Sequence, residues 1–352
     1  AAPAVCMARA SCPSPQPPAG EIPVYFADLH CHSRYSDGLG TPEECLRFAR
    51  DYAGLDVCAL TDHARYVSDA EWLDTQSVTA RFNEPGRFVT LLGYECSHPV
   101  SGEKNLYFPG DSGTLLRELD LRTGQVTPLE RMTPVWRREG AMMLVHLHGG
   151  HLDAFHDDSL CRLLEVYSNL GCCERADARP AFVPALRADL GGQYAQDALR
   201  RGWRVGFTGG SDDHMGRPGV SGWHRVERAY RGGLTGVYAP ALTRESVFAA
   251  LWARHTFATT GARMLLYARG PGGELPGDEL RGPVTLRVRA LCCAPIARLE
   301  LVRSGQTVWS LEAPGGNAWQ GDIPCGPEGG AWYLRATQAD GHQGFTSPYF
   351  VE

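Results

Sequence analysis

The sequence lacks an apolar run that approaches the length of a bilayer-spanning helix. It also lacks a basic excess, because its formal net charge is -6, and this argues against nucleic acid as a partner. Its twelve cysteines are scattered without a CxxC zinc framework, which predicts that most of them are buried thiols. No internal repeat of solenoid period is visible in the sequence. These absences predict a globular chain with neither a membrane span nor a repeat architecture.

The composition is that of a globular protein, with 43% hydrophobic and 21% charged residues in a chain of 352. This length suits about two domains, and the apolar fraction is ample for a buried core. Residues 1–20 are rich in Ala, Pro and Ser and predict a flexible leader. Because the chain begins with Ala-Ala-Pro, we expect either a removed signal peptide or an artificial start, and we favour a periplasmic or secreted location over a cytoplasmic one.

The most informative stretch is DLHCHSRYSDG at residues 28–38, which follows a predicted strand at 24–27. His30 and His32 are one residue apart at the end of this strand, so both side chains point the same way. Asp37 lies in the following turn, and a glycine there lets the backbone bend. Two imidazoles and a carboxylate predict the start of a metal site, although an HxH pair also occurs on ordinary strands.

Further ligand-type side chains follow later apolar runs, in a pattern typical of a β/α fold. The predicted strands are residues 24–27, 55–60, 87–94, 141–145, 163–167, 204–208 and 234–238. Helical patterns lie between several of them, including 41–54 and 184–201, which predicts a parallel sheet. Polar residues at the carboxyl ends of many strands are typical of the active site of a closed β/α barrel.

The residues after about 265 have a different pattern. Apolar and polar side chains alternate at 284–290, 299–301 and 332–336, with Gly and Pro clusters between them, which predicts a β-sandwich. We therefore expect a leader at 1–20, a barrel at 21–264 and a small C-terminal β-sandwich at 265–352.

The strand-end residues form a candidate metal constellation of imidazoles and carboxylates. Its members are His30, His32, Asp37, His63, Glu95, His146, His148, Asp212 and His214. Such a set without thiolates fits Zn, Mn or Fe at a catalytic site, and a carboxylate such as Glu95 can bridge two cations.

Some roles within this constellation stay open. His146 and His148 have the same strand parity, so both could face the site, or only one binds metal. Glu165 and Asp62 are expected to support ligands rather than to bind metal. Arg217 and Lys104 are candidate anion-binding residues, although most Arg and Lys side chains are solvated surface.

Several motifs resemble a known superfamily. DLHCHS with SDG, LTDH at 60–63, GYE at 93–95 and GSDDH at 210–214 resemble the PHP (polymerase and histidinol phosphatase) metallohydrolases. Residues 165–171 with Glu174, and 216–219, 234–239 and 258–263, resemble its DUF3604 and CehA/McbA-like branch. The resemblance covers about residues 24–265. It implies a distorted seven-stranded, TIM-like β/α barrel with two or three divalent metal ions.

The resemblance also implies how the ligands divide among the metals. His30 and His32 would bind the first metal with Glu95 and Asp212. Glu95 would bridge to a second metal, which His146 or His148 also binds. The third metal would be bound by Asp37, His63 and His214.

One departure from the superfamily concerns the second metal. PHP relatives usually supply a histidine some ten residues after the bridging glutamate. Residues 101–108 of this chain read SGEKNLYF, without a histidine. His98 or Glu103 could substitute, or the second metal is weakly held.

These observations lead to a hydrolase hypothesis, with a small-molecule ester as substrate. A metal-bridging hydroxide would attack a phosphoester, with Glu95, Asp37, His214 and Arg217 as the catalytic residues. One alternative is a carboxylic ester or carbamate hydrolase of the CehA-like type. An alternative of another class is a binding or sensing module in which the metals are structural. All ligand candidates precede residue 265, so we expect the β-sandwich to be dispensable for chemistry.

Overall fold

The structure, a computed structural model, describes residues 15–147, 152, 155–177, 192–220 and 232–352. These residues form a mixed α/β fold that consists mostly of strands. The strands up to residue 259 are β1 Val24–Asp28, β2 Val57–Leu60, β3 Val89–His98, β4 Gly102–Phe108, β5 Met142–His146, β6 Cys161–Ser168, β7 Gly171–Cys172, β8 Gly206–Gly209, β9 Leu234–Tyr238 and β10 Thr256–Thr259. The strands after residue 259 are β11 Leu265–Arg269, β12 Glu279–Leu280, β13 Val284–Leu291, β14 Ile296–Arg303, β15 Gln306–Glu312, β16 Ala318–Cys325, β17 Gly330–Gln338, β18 Gln343–Thr346 and β19 Tyr349–Val351.

The helices of the described residues are short. They are α1 Pro42–Arg47, α2 Asp69–Phe82, α3 Leu129–Arg138, α4 Ala195–Arg200 and α5 Arg244–Trp252. A π-helical turn, Phe48–Tyr52, continues α1. Thr41 caps α1 and forms a capping box with Glu44, a pattern that is also visible in the sequence TPEE at 41–44. Within the described ranges, no helix is long and apolar enough to cross a membrane.

The seven strands predicted from the sequence correspond to β1, β2, β3, β5, β6, β8 and β9. The predicted helix at 184–201 is present only as α4, and residues 184–191 lie outside the described residues. Three strands up to residue 259, β4, β7 and β10, were not predicted. Glu95 lies inside β3 rather than after it, because β3 continues into an antiparallel hairpin with β4.

One large sheet contains sixteen of the described strands. Its main path runs β12-β19-β17-β18-β10-β9-β1-β2-β3-β4-β5-β6-β7, with β8 beside β6. The pairs β1–β2, β2–β3, β5–β6 and β6–β8 are parallel. The carboxyl ends of β1, β2, β5, β6 and β8 therefore meet at one edge, where the candidate ligands lie.

The large sheet curls until β8 approaches β9. The Thr235 hydroxyl donates to Gly209 O at 2.8 Å and accepts from Gly209 N at 3.1 Å, so side-chain bonds replace a backbone ladder there. The predicted seven-stranded β/α barrel is not confirmed. The strand β4 lies antiparallel between β3 and β5, and β9 lies antiparallel to β1, so the sheet is mixed.

The C-terminal strands lie in two layers. A separate three-stranded sheet, β11-β13-β16, packs against β14, β17 and β19 of the large sheet. Alternate residues of β13 point inward: Leu286 and Val288 are buried, whereas Arg287 between them is exposed. Together with Leu301, Ile323 and Leu334 they form an apolar cluster between the layers.

The boundary predicted near residue 265 is crossed by the large sheet. Thr259 of β10 pairs with Gly344 of β18, and Phe257 pairs with Thr346. The strand β10 in turn pairs with β9, whose other neighbour is the ligand-bearing β1. The division at residue 265 stays a prediction, but the strands on its two sides share one hydrogen-bonded sheet.

Candidate metal centre

Asp28 at the end of β1 fixes the position of the two predicted histidine ligands. This carboxylate is fully buried, and its Oδ1 accepts from the backbone N–H of His30 at 3.2 Å and of Ser211 at 3.0 Å. Its Oδ2 accepts from Gly219 N at 2.6 Å. Burial raises the pKa of Asp28 to about 6, although these hydrogen bonds lower it. Asp28 thus ties the end of β1 to the segment that follows β8.

The centre of the site is a square of two imidazoles and two carboxylates. His30 Nε2 lies 3.2 Å from Glu95 Oε2 and 3.3 Å from Asp212 Oδ1. His32 Nε2 lies 3.3 Å from each of the same two oxygens. All four residues are buried, so the strand parity predicted for His30 and His32 brings both onto one pair of carboxylates.

Glu165 supports His30 from the opposite side of the ring. Its carboxylate oxygens lie 3.1 and 3.3 Å from His30 Nδ1, which leaves Nε2 directed at Glu95 and Asp212. Gly210 packs so closely that a Cβ atom there would lie 2.8 Å from His30 Cβ. A carboxylate behind a ligating histidine sets its tautomer and orientation. Glu165 also forms a possible ligand group with His30 and His146, whose ligand atoms lie within 4.8 Å of one another.

Asp212 has a left-handed backbone, with φ of 48°. This conformation is uncommon for residues other than glycine, and the surrounding contacts stabilise it. Asp212 N donates to His30 O at 2.7 Å, and Asn169 Nδ2 donates to Asp212 O at 2.7 Å. Asn169 therefore fixes the turn that directs the Asp212 carboxylate at both histidines.

A second group lies at the mouth of the site, around Asp37. Asp37 Oδ1 lies 3.2 Å from His214 Nε2 and 3.5 Å from His63 Nε2, and its side chain is 49% exposed. The ring of His32 stacks on that of His214, with centroids 4.1 Å apart. One possible ligand atom from each of His32, Asp37, His63 and His214 lies within 4.8 Å of the other three, which is close enough for a shared metal ion. His32 thus takes part in this group as well as in the central square.

Asp62 bonds to the loop after β1 and not to the adjacent His63. Its Oδ1 accepts from Ser33 N at 2.7 Å and from the Ser36 hydroxyl at 2.6 Å. Ser36 Oγ in turn lies 3.4 Å from His32 Nδ1, so Asp62 acts on His32 through a serine. His63 is held instead by Ser97, whose Oγ lies 3.0 Å from His63 Nδ1.

A third group consists of Glu95, Glu103 and His146. Its position bears on the choice between His98 and Glu103 as the substitute for the missing histidine. Both ring nitrogens of His98 are used elsewhere: Nδ1 accepts from the backbone N–H of Val100 and Ser101, and Nε2 donates to Thr127 O. Glu103 is therefore the residue that the structure brings to Glu95 and His146. His148 lies outside the described residues.

The buried charges of the centre are strongly coupled. Burial lowers the pKa of His32, but the negative charges of Asp212 and Glu95 outweigh burial and raise that pKa to about 10. Burial raises the pKa of Glu95, but the histidines around it hold that pKa well below its usual range. Glu95 is therefore ionised at neutral pH, and without a cation His32 retains its proton.

The donor set fits divalent cations. His32 Nε2 is buried and has no well-aligned hydrogen bond within the described part of the chain, although two carboxylate oxygens lie 3.3 Å away. A cation between these atoms would satisfy all of them. Ionised carboxylates and imidazoles are ligands that Zn, Mn and Fe accept. The residues present thus fit metal binding, in agreement with the prediction of divalent ions.

Neither of the two predicted anion-binding residues bonds to the described ligands. Arg217 is exposed, and no hydrogen bond or ion pair joins its guanidinium to the described ligands. Its backbone N–H donates to the carboxylate of Asp213. Lys104 is 1% exposed, and its Nζ donates to Ser101 O, Ser101 Oγ and Gly102 O. Lys104 therefore closes the β3–β4 hairpin and does not face the ligands.

Arg65 is a cation near the ligands that the sequence did not reveal. Its Nη1 donates to Ser97 O at 3.4 Å and lies 3.8 Å from Glu118 Oε1. Its Nε is buried and has no hydrogen-bond partner among the described residues. The only sequence signal was its position two residues after His63, because a residue so close to a ligand is bound to lie near the site.

Comparison with known proteins gives a local family match. Residues 218–271 match the family described as "Protein of unknown function (DUF3604)". This match confirms the DUF3604 resemblance found in the motifs.

Three longer similarities extend over most of the chain. Proteins described as uncharacterized from Chlamydia muridarum (strain MoPn / Nigg) and Chlamydia trachomatis serovar D are 25% and 26% identical over 92% of this chain. The alignments cover 56% of those proteins, so the chain spans about half the length of the curated relatives it matches. The third similarity is to a solved two-domain protein from Bacteroides vulgatus ATCC 8482, which is described as containing a predicted PHP-like metal-dependent phosphoesterase. It is 15% identical to this chain, with a TM-score of 0.48, and the match covers 95% of this chain and 100% of that protein.

Proposed function

We propose that this chain, which matches DUF3604 proteins over residues 218–271, is a metal-dependent hydrolase of phosphoesters. One observation carries the proposal: the Nε2 atoms of His30 and His32 face the same two carboxylate oxygens of Glu95 and Asp212, at 3.2 or 3.3 Å. Buried imidazoles and carboxylates that converge in this way are typical of catalytic cation sites, whereas structural zinc sites are mostly thiolate-rich and closed.

Bound divalent ions would polarise a water molecule and a phosphoryl oxygen of the substrate. The protein's part is to position the ligands and to control protons. Glu95 belongs both to the central square and to the group with Glu103 and His146, so it fixes the spacing between the two groups. Asp212 and Glu165 orient His30 from opposite sides of its ring.

The residues at the mouth have defined protonation states. His214 Nδ1 lies 3.0 Å from Asp212 O, and because a carbonyl only accepts, this nitrogen carries the proton. His214 Nε2 lies 3.2 Å from Asp37 Oδ1. Burial raises the pKa of Asp37, but His214 and His63 hold it well below its usual range. Asp37 is therefore ionised at neutral pH and serves as a ligand or proton acceptor, not as a proton donor.

Arg65 would give the site a cation for an anionic substrate, and its Nη1 also lies 3.8 Å from the buried carboxylate of Glu118. Its guanidinium lies beside Ser97, which also contacts His63, so it is one residue away from the metal ligands. Cationic side chains beside metals are typical of phosphate recognition, because guanidinium can form charge-assisted hydrogen bonds to phosphoryl oxygens. This observation favours a phosphoester over the carboxylic ester or carbamate alternative.

The test is a panel of chromogenic phosphate mono- and diesters, carboxylic esters and carbamates, assayed with Mn²⁺ and with Zn²⁺. We expect hydrolysis of phosphoesters that a chelator abolishes and added metal restores. Arg65→Gln should raise KM for phosphoesters and leave any turnover of neutral esters unchanged. Turnover of neutral esters alone would favour the CehA-like alternative. A folded, metal-loaded protein that hydrolyses none of the compounds would favour the binding module.

A further inference from the structure

The two ends of the ligand cluster differ in their donor atoms. The group at the mouth contains three imidazoles and one carboxylate, from His32, His63, His214 and Asp37. The group on the β3–β4 hairpin contains two carboxylates and one imidazole, from Glu95, Glu103 and His146. We call the first the nitrogen-rich group and the second the oxygen-rich group. Glu95 and His32 connect them through the central square.

Backbone pairing places Glu103 in the oxygen-rich group. In the antiparallel pair β3–β4, Glu103 lies opposite Ser97, which is two residues from Glu95. Side chains two residues apart in a strand share a face, so Glu95, Ser97 and Glu103 point to the same side of the hairpin. Lys104, the next residue, points to the other side, where its ammonium group contacts the Ser101 and Gly102 carbonyls.

The third member reaches this face from the neighbouring strand. The pair β4–β5 places Lys104 opposite Val145, so the next position on β5 brings His146 toward Glu103. His146 Nδ1 lies 4.0 Å from Glu95 Oε1, and its ring stacks on His30 with centroids 4.1 Å apart. One ligand atom from each member lies within 4.8 Å of the others.

We infer that the oxygen-rich group, with Glu103 as a metal ligand, is a hard cation site. Its preference for Zn²⁺ over Mn²⁺ is smaller than that of the nitrogen-rich group. Carboxylate oxygens suit Mn²⁺ and Mg²⁺, whereas imidazole nitrogen suits Zn²⁺. Zn²⁺ binds both groups more tightly in absolute terms, as expected for divalent ions of this series. The ratio of the two affinities is what differs between the groups.

This inference rests on the proposed function, because both assume that the cluster binds metal, and it adds the class of ion that each end accepts. A chain with one nitrogen-rich and one oxygen-rich group can hold different ions at the same time. When Mn²⁺ is added to the Zn²⁺-loaded chain, it should therefore replace Zn²⁺ first at the oxygen-rich group, while the nitrogen-rich group keeps its Zn²⁺.

The test follows Mn²⁺ binding to the full, chelator-treated chain by electron paramagnetic resonance, with Zn²⁺ then added to displace it. For the unmodified chain we expect one class of Mn²⁺ that low Zn²⁺ displaces and a second class that persists. In Glu103→His, the Zn²⁺ concentration that displaces the second class of Mn²⁺ should fall by about tenfold or more. Loss of a group that only supports a ligand changes metal affinity by about 10–100-fold, and exchange of a ligand itself should have at least as large an effect. Glu103→Gln should weaken the second class for Mn²⁺.

Glu312→His, an exposed change on β15, is the matched control for an added histidine and should leave both classes unchanged. Both Glu103 variants should keep the unmodified chain's circular dichroism spectrum. Two Mn²⁺ classes that neither Glu103 variant alters would overturn the inference, as would a single class that Zn²⁺ displaces uniformly. Failure of the hydrolase proposal looks different: no ester is turned over, while the Glu103-sensitive Mn²⁺ class is still present.

Discussion

Arg335 of β17 and Glu174, which follows β7, form a buried ion pair with 2.5 Å between Nη1 and Oε1. The same guanidinium donates to both oxygens of Glu300 on β14, at 2.8 Å each. Tyr333 also donates to Glu174. Glu174 lies five residues after Asn169, which fixes the backbone of Asp212. The C-terminal strands are therefore joined by buried charges to the segment that shapes the metal centre.

Arg335→Met should strongly destabilise the protein. The change leaves two buried carboxylates, Glu174 and Glu300, without their cation, and breaking a buried pair in this way costs about 3–5 kcal/mol. Urea unfolding followed by circular dichroism measures the loss. The control is Arg47→Met, which removes an exposed partner of Glu43 and should cost less than about 1 kcal/mol. Equal losses in the two variants would contradict the role of the buried network.

Truncation after residue 264 is the second test, and the structure changes the expected result. Although all described ligand candidates precede this position, the truncated chain lacks β18, the neighbour of β10, and it lacks Arg335. An unpaired buried strand edge favours aggregation. We therefore expect little soluble fragment, as measured by size-exclusion chromatography. A monomeric fragment that retains metal and turnover would show that the C-terminal strands are dispensable after all.

Glu95→Gln should remove metal and activity together. The amide keeps the shape of the side chain but loses the negative charge that attracts cations to both sides of the site. We expect a lower metal stoichiometry by elemental analysis and a drop in turnover of about a hundredfold or more, the scale seen when a main stabilising group is lost. Glu312→Gln, at an exposed position, should change neither measurement. Full metal content in Glu95→Gln would rule out Glu95 as the bridging residue.

Metal binding should strengthen as pH rises from neutral toward about 10, because the pKa of His32 in the metal-free centre is raised to about 10. Only neutral imidazole binds metal, so below that pKa a cation must displace a proton from His32, and above it no proton competes. Titration calorimetry in two buffers of different ionisation enthalpy should detect the released proton. Equal affinity across this range without proton release would contradict the assignment of His32 as a ligand.

Asn169→Ala tests how the strained turn at Asp212 is held. Loss of the 2.7 Å hydrogen bond to Asp212 O frees a backbone with φ of 48° to relax, and the carboxylate would turn away from His30 and His32. We expect metal affinity to fall by about 10–100-fold, as for other groups that orient ligands. Asn317→Ala, which removes an exposed asparagine bonded to Cys293 O, is the control and should leave affinity unchanged.

The sequence predicted the ligand-bearing edge well because its signals are local. An apolar run followed by His30 and His32, or by His63, shows both the strand and the position of the ligand at its end. The capping box of Thr41 and Glu44 is equally local, and it is present. The strand β4 was missed because its seven residues, GEKNLYF, acquire their conformation from β3 and β5 on either side.

The relationships that no short motif reveals are those between distant residues. Arg335 and Glu174 are far apart in the chain, and neither is unusual in its local sequence. The same is true of Asn169 and Asp212, and of Asp62, which acts on the loop after β1 instead of on the adjacent His63. Such pairings depend on how the sheet curls, and the curl depends on the antiparallel insertions that the predicted barrel did not include.

The pairing of β10 with β18 also affects how the chain is made. A ribosome releases the segments that bear His30, His63 and Glu95 before Thr259, yet Thr259 acquires its neighbour Gly344 only after 85 further residues have emerged (344 − 259). Until then, the hydrogen-bonding edge of β10 is open on a nascent chain, at the stage when unpaired edges invite association with other chains. The metal-binding sheet therefore cannot be completed strand by strand during synthesis, and we expect the yield in the cell to depend on protecting that edge until β18 arrives.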